Sequence, residues 1–189
     1  MKRLLFLTLF ALATQRAAFP ASVDGVHVAD TARLGDSSLV LNGAGKRTRY
    51  FFNVYVAALY LPARNSDAAK VIADAVPKRL SMTMMRRLSA GQLSGALREG
   101  LSRNSSRTEL KAIKPQTDSL VTVMKAIGSA NEGDVVTIDF LPDGTTRLGI
   151  NGRALGMPIP GRDFQRAMLQ IWLGRDPVQD DLKAALLGR

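Results

Sequence analysis

Between residues 133 and 156 the chain reads GDVVTIDFLPDGTTRLGINGRALG. Apolar and polar side chains alternate through VVTIDF and TTRLGI, the period of two that sends one set of side chains to a buried sheet face. Pro142-Asp143-Gly144 and Asn151-Gly152 stand between the runs, and these residue types accept the backbone angles of tight hairpin turns. Three consecutive antiparallel strands must therefore lie side by side. Their apolar face needs a cover, and that requirement constrains everything else in the chain.

The cover is found in segments with helical spacing. SAGQLSGALREGLSRNS (89–105) opens on a Ser cap and sets Leu93, Leu97 and Leu101 four apart, on one stripe. RDFQRAMLQIWLG (162–174) puts Phe164, Met168, Ile171 and Trp172 on one face and closes at Gly174. DPVQDDLKAALLG (176–188) reads as a last helix with Pro in its first turn and Gly at its end. NSDAAKVIADAV (65–76) has a cap at Asn65 or Ser66 and stops at Pro77, and 107–127 is mostly helical with a break at Pro115. On the strand side, VDGVHV (23–28) reads as a first strand and SSLVLNGAG (37–45) as a second entering a glycine turn. Residues 46–61 make a long β segment with a bend near Phe52–Asn53, and KRLSMTMMR (78–86) alternates Leu80, Met82 and Met84 with polar partners. Strands and helices in grouped runs give an α+β fold with a large, mainly antiparallel sheet packed by helices.

The length of 189 residues suits one domain, and 46% hydrophobic residues suffice for a core. There is no Cys and one His, His27. Disulfides, thiolate or multi-His metal sites and a cysteine nucleophile are excluded, and His27 is expected at the surface or in a cap. Asp134, Asp139 and Asp143 gather around a hairpin, where turn chemistry accounts for Asp143 better than a metal does. The N-terminus, MKRLLFLTLFALATQRAAFPA, has a basic start, a largely apolar region of ten residues from Leu4 to Ala13 and small residues after them. That is the pattern of a secretory signal peptide over 1–21, leaving one domain over 22–189 and a periplasmic or secreted location. Removing Lys2, Arg3 and Arg16 from the 26 cations leaves 23 against 16 acids, a net +7. The cations are scattered and aromatics make up only 6%, so a solvated basic surface is expected rather than a nucleic-acid site.

One stretch is at odds with a plain core strand. LNGAGKRTRYFFNVYVAALYLP (41–62) runs from small residues through cations into an apolar segment that still carries Tyr55 and Tyr60. Its GAG lacks the longer glycine pattern and the Lys-Ser/Thr of a phosphate loop. Arg47 and Tyr55 are eight apart, so a continuous strand sets both on one face, and a bend at 52–53 could instead fold them together as a hairpin. A guanidinium offers a planar fork that matches a carboxylate, and a phenol adds one donor. The plainer alternative is a surface Arg at a turn and a core Tyr.

LNGAGKR…VYVAALYL resembles the entry segment of the chalcone isomerase family, in which a Gly-Ala-Gly-x-Arg turn precedes a strand ending in apolar-Tyr-Leu. MPIPGRDFQRAMLQIWLGRDPVQDDLKAALLG resembles the C-terminal helices of the bacterial, exported chalcone-isomerase-like proteins. The resemblance covers roughly residues 23–188. The resemblance implies an open-faced β-sandwich, a large antiparallel sheet covered by a layer of helices, with a ligand cleft between. The family holds isomerases that close a chalcone into a flavanone and non-catalytic members that bind fatty acids. In both, the Arg of the turn lines the cleft, and that position here is Arg47. The isomerases place a Thr where this chain has Tyr55; the fatty-acid binders place a Tyr there and pair it with the Arg around a carboxylate. The isomerases also use a Tyr and, seven residues later, an Asn on the next helix, where this chain has Leu93 and Gly100.

The expectation is thus an exported, non-catalytic protein with no cofactor or metal, acting as a monomer near a membrane. It would hold a fatty acid or other small apolar anion through Arg47 and Tyr55, with Met82, Met84, Leu93 and Leu97 along the tail. Leu80 and Leu101 are further tail candidates. Two rivals stand beside it: an intramolecular lyase of the chalcone isomerase type, and an envelope interaction module whose cleft is filled by side chains.

Overall fold

The computed structural model describes residues 21–189, so the stretch 1–21, the expected signal peptide, lies outside the described residues except for Ala21. Strands β1 (Ala21–Val23) and β2 (Val26–Val28) form a hairpin. Then come β3 (Thr31–Leu34), β4 (Ser37–Arg49), β5 (Phe52–Leu61), helix α1 (Ala68–Ala73) and β6 (Lys78–Met84). A short strand β7 (Leu88–Ser89) leads into α2 (Ala90–Asn104), α3 (Arg107–Ala112) and α4 (Lys114–Ile127), and β8 (Ser129–Ala130) pairs back onto β7. The meander follows as β9 (Val135–Phe140), β10 (Thr145–Ile150) and β11 (Arg153–Pro160), then α5 (Arg162–Leu173) and α6 (Asp180–Leu186).

Seven strands make one antiparallel sheet in the order β11-β10-β9-β6-β5-β4-β3. Each strand neighbours the next in the chain except at β6–β9, where the excursion through α2–α4 is inserted. Asn151 and Gly152 take left-handed angles in the last hairpin, as the Asn-Gly signal requires. Arg79 on β6 and Asp139 on β9 face each other in register and form a two-bond ion pair at 2.6 and 2.8 Å, so Asp139 serves the sheet. Asp134 accepts from Asn131 and Asn151, and Asp143 accepts from Thr145.

The two sheet faces are both covered, which explains the nearly continuous apolar run of β5. Ala57, Leu59 and Leu61 face a core shared with α2, α4, α5 and α6; Val56, Ala58 and Tyr60 face a second cluster with Val28, Leu34 and Leu39. Tyr60 donates to Ala29 O at 3.0 Å, so its hydroxyl ties the N-terminal hairpin to the sheet. On β6 the alternation is strict: Leu80, Met82 and Met84 are buried and their neighbours half-buried. Lys78 continues that buried set, its ammonium donating to Asp74 O at the end of α1. Ser89 caps α2 reciprocally with Gln92.

Several elements depart from the sequence reading. VDGVHV is a hairpin, because Asp24 and Gly25 take positive φ and turn the chain between β1 and β2. Residues 37–49 are one long strand, so GAG is no turn; the long β segment over 46–61 divides instead at Tyr50–Phe51. The cap of α1 is Asp67, whose carboxylate accepts from Ala69 N and Lys70 N. The last helix starts at Asp180, leaving Pro177 outside its first turn. His27 is exposed on β2.

Candidate ligand-binding site

The β4–β5 hairpin sets Arg47 directly opposite Tyr55. Directly opposed residues of an antiparallel pair share a face, so the hairpin, rather than parity along one strand, brings these two together. The register shifts beside the pair, where Val54 of β5 is the extra residue between Tyr55 and Asn53, a bulge of the kind that re-aims side chains. Both residues line a cavity of about 630 Å³ between sheet and helices. That volume is within the range of about 300–1,000 Å³ usual for small-molecule sites.

Each polar group of the pair is held from behind by the C-terminal part of the chain. Arg47 Nη1 donates to Gln179 Oε1 at 2.9 Å and to Thr48 O at 2.5 Å. Its Nε and Nη2, the edge that forks a carboxylate, bond to no other described residue, and no carboxylate among the described residues pairs with it. Gln179 is the N-terminal cap residue of α6, but its side chain is turned away from the helix. It also accepts from Thr48 N at 2.8 Å and donates to Lys46 O at 3.2 Å, gripping three successive residues of β4. Trp172 Nε1 donates to Tyr55 Oη at 2.9 Å. Burial pushes the Tyr55 phenol above its ordinary value, and the Trp172 bond and Arg47 charge pull back only part of that rise. The hydroxyl is therefore neutral at physiological pH. Its oxygen already accepts from Trp172, and no described residue accepts its proton.

The remaining walls are apolar. Met82, Met84, Leu93 and Leu97 all line the cavity, with Met82, Met84 and Leu97 otherwise buried and Leu93 half-buried. Leu80 and Leu101 do not line it; both are closed into the core at 2% and 1% exposure. The opening is rimmed by the hairpin tip, with Arg49, Tyr50 and Phe52, and by the α2 face bearing Gln92 and Glu99. A larger depression of about 1110 Å³ lies between α4 and β11; it is more open, and its polar lining includes Gln116, Ser119, Thr122 and the exposed Arg153.

Sequence reasoning singled out Arg47 and Tyr55, which the structure brings together on the cavity wall, and missed the two residues that hold them. Trp172 was absorbed into the apolar face of its helix, where it does pack; its N–H carried no separate signal. Gln179 was read as the interior of a helix starting at 176, whereas a boundary at Asp180 frees its side chain for β4.

Residues 20–188 match the sequence profile described as chalcone isomerase-like. The chain belongs to the chalcone isomerase-like family. Among solved structures, a fatty-acid binding protein of Arabidopsis thaliana superposes with a TM-score of 0.63, covering 82% of this chain and 88% of that one at 14% identity. At that identity the likeness speaks to the fold, the helix-covered antiparallel sheet described above. No curated protein sequence matches the chain.

Within this chalcone isomerase-like fold, the Gly-Ala-Gly of β4 has a packing role. A Cβ on Gly43 would collide with the backbone O of Ala185, and one on Gly45 would come within 2.7 Å of Ala185 Cβ. The bare strand lets α6 lie flat on β4, and Asn42 Nδ2 ties the helix end down by donating to Leu186 O at 2.7 Å. That docking delivers Gln179 to Arg47. On α2, Leu93 and Gly100 both line the cavity, and Gly100 is jammed against Ile171, 2.8 Å from where a Cβ would sit.

Proposed function

We propose that this chain is a non-catalytic chalcone isomerase-like protein that binds a fatty acid or a similar apolar carboxylate. The head group forks onto Arg47 Nε and Nη2 and accepts from the Tyr55 hydroxyl; the tail runs along Met82, Met84, Leu93 and Leu97. The observation that carries the reading is the unmatched Arg47: a guanidinium braced by Gln179, without a carboxylate partner among the described residues, at the wall of an apolar cavity. A partly buried cation in such a place is best satisfied by an anion brought from outside. The similar Arabidopsis structure is described as a fatty-acid binding protein, which supports the same class of ligand. The signal-peptide pattern over 1–21 supports export to the periplasm or beyond.

The isomerase reading lacks a polar pair on α2. Leu93 supplies no hydroxyl, and Gly100 has no room for any side chain beside Ile171. The interaction-module reading predicted a filled cleft, against a cavity of about 630 Å³.

The test is mass spectrometry of the purified protein, native and then after organic extraction, beside Arg47→Ala/Tyr55→Phe. A co-purifying or added fatty acid retained by the wild type and lost by the variant is expected. A wild type that arrives empty and refuses added fatty acids would overturn the reading.

A further inference from the structure

The tip of the β4–β5 hairpin breaks two rules at once. Tyr50, Phe51 and Phe52 are 84%, 99% and 57% exposed, three consecutive aromatics at the end of a ribbon. Tyr50 is also held at φ +55°, at the first of two turn residues, where Gly is favoured and a bulky side chain is strained. Folding requires neither feature: Phe51 packs on nothing, and a glycine would make the turn more easily. Strain combined with exposed apolar surface marks a surface built for contact.

The charge around the tip indicates with what. Arg49 and Arg103 flank the opening and both reach Glu99, at 3.8 and 2.8 Å; Arg103 also reaches Asp176 at 3.7 Å, outside the cavity lining. Arg86 stacks over Phe52 at 4.6 Å, and Arg87 next to it is exposed. The residues lining the cavity include four arginines, Arg47, Arg49, Arg86 and Arg103, against that one glutamate. Aromatics set among arginines match a bilayer interface, where rings sit at headgroup depth and guanidinium groups meet anionic lipid.

We infer that the hairpin tip docks the protein onto an anionic membrane surface, with Phe51 inserted among the headgroups and the cavity mouth facing the lipid. The inference rests on the fatty-acid reading for its purpose, since a cavity opening beside inserted aromatics can exchange an apolar carboxylate with the bilayer without crossing water.

The test is flotation of the protein, as the exporting cell leaves it, with vesicles of phosphatidylcholine alone or mixed equally with phosphatidylglycerol. Wild type and Phe51→Ser share the same N-terminus, so their difference isolates the tip. Wild type is expected to float with the anionic vesicles and to be released by salt, with Phe51→Ser binding about tenfold more weakly. Since the chain has no Cys, a nitroxide on Phe51→Cys reads depth directly and is expected at the headgroup level. Equal flotation of wild type and Phe51→Ser, or a nitroxide that stays in water, would overturn the inference. So would a Phe51-dependent dimer in lipid-free sedimentation, which would assign the tip to a second copy. Fatty-acid titration without vesicles separates the two readings: Phe51 does not line the cavity, so Phe51→Ser should bind as wild type does. Tip-dependent flotation of a wild type that binds no fatty acid would leave the membrane surface standing and remove the ligand.

Discussion

Arg47 and Gln179 are 132 positions apart in the chain and 2.9 Å apart in space. The contact makes the candidate head-group site a property of the assembled fold: an arginine from the β4–β5 hairpin is aimed by the glutamine at the N-terminal cap position of the last helix. The same applies one strand over, where Trp172 of α5 holds Tyr55 of β5.

Gln179→Leu should therefore lower stability and ligand affinity together. It strands the Thr48 N–H and removes the brace from Arg47. A loss of about 1–3 kcal/mol in urea unfolding is expected from the broken, partly buried bonds. A fatty-acid titration should show about tenfold weaker binding. Unchanged affinity with reduced stability would show that Arg47 keeps its aim without the glutamine.

Tyr55 gives a signature in alkaline solution. Its phenol is raised above the ordinary value by burial, so above about pH 10 the unfolded chain releases this proton while the folded protein keeps it. The folded state then binds more protons than the unfolded state, and stability falls with rising pH until the folded phenol itself ionises. The slope contributed by Tyr55 is at most about 1.4 kcal/mol per pH unit. Tyr60, also raised, and Lys78, which is lowered and acts with the opposite sign, are common to wild type and Tyr55→Phe. Subtracting the two unfolding profiles isolates Tyr55; parallel profiles above pH 10 would refute the assignment.

Three glycine-to-alanine changes should order themselves by what each Cβ meets. Gly43→Ala drives into the backbone of α6 and should cost about 3 kcal/mol or more. Gly45→Ala meets the Ala185 side chain and should cost about 1–2 kcal/mol. Gly95→Ala, with nothing nearby on an exposed position of α2, should stabilise by about 0.5–1 kcal/mol. Urea unfolding of the series checks the order.

Tyr50→Gly should raise stability by about 0.5–1 kcal/mol, because relief of the left-handed strain exceeds the added freedom of the unfolded chain. A loss of stability in thermal unfolding would mean that the exposed ring makes a contact worth more than its strain.

What was legible in the sequence followed from local rules. The β9–β11 meander declared itself through alternation and turn residues, and α2 and α5 through their apolar stripes. Arg47 and Tyr55 could be singled out because a cation and a phenol are anomalous beside an apolar strand. The glycines of 43–45 were misread because glycine permits a turn and also permits close approach of a helix, and only the tertiary partner, α6, distinguishes these uses. Gln179 was invisible for the same reason: its role depends on a strand 132 residues away. The Tyr50–Phe51 turn was placed a little late because it uses aromatics where turn chemistry calls for glycine or asparagine.

Trp172 is the only tryptophan in the chain, and its indole lines the cavity with its N–H bound to Tyr55. The tryptophan emission of the whole protein thus originates at a single point on the wall of the space that a ligand would fill. The molecule carries its own optical gauge there, one that responds to whether that space is wet, dry or occupied without any label being added.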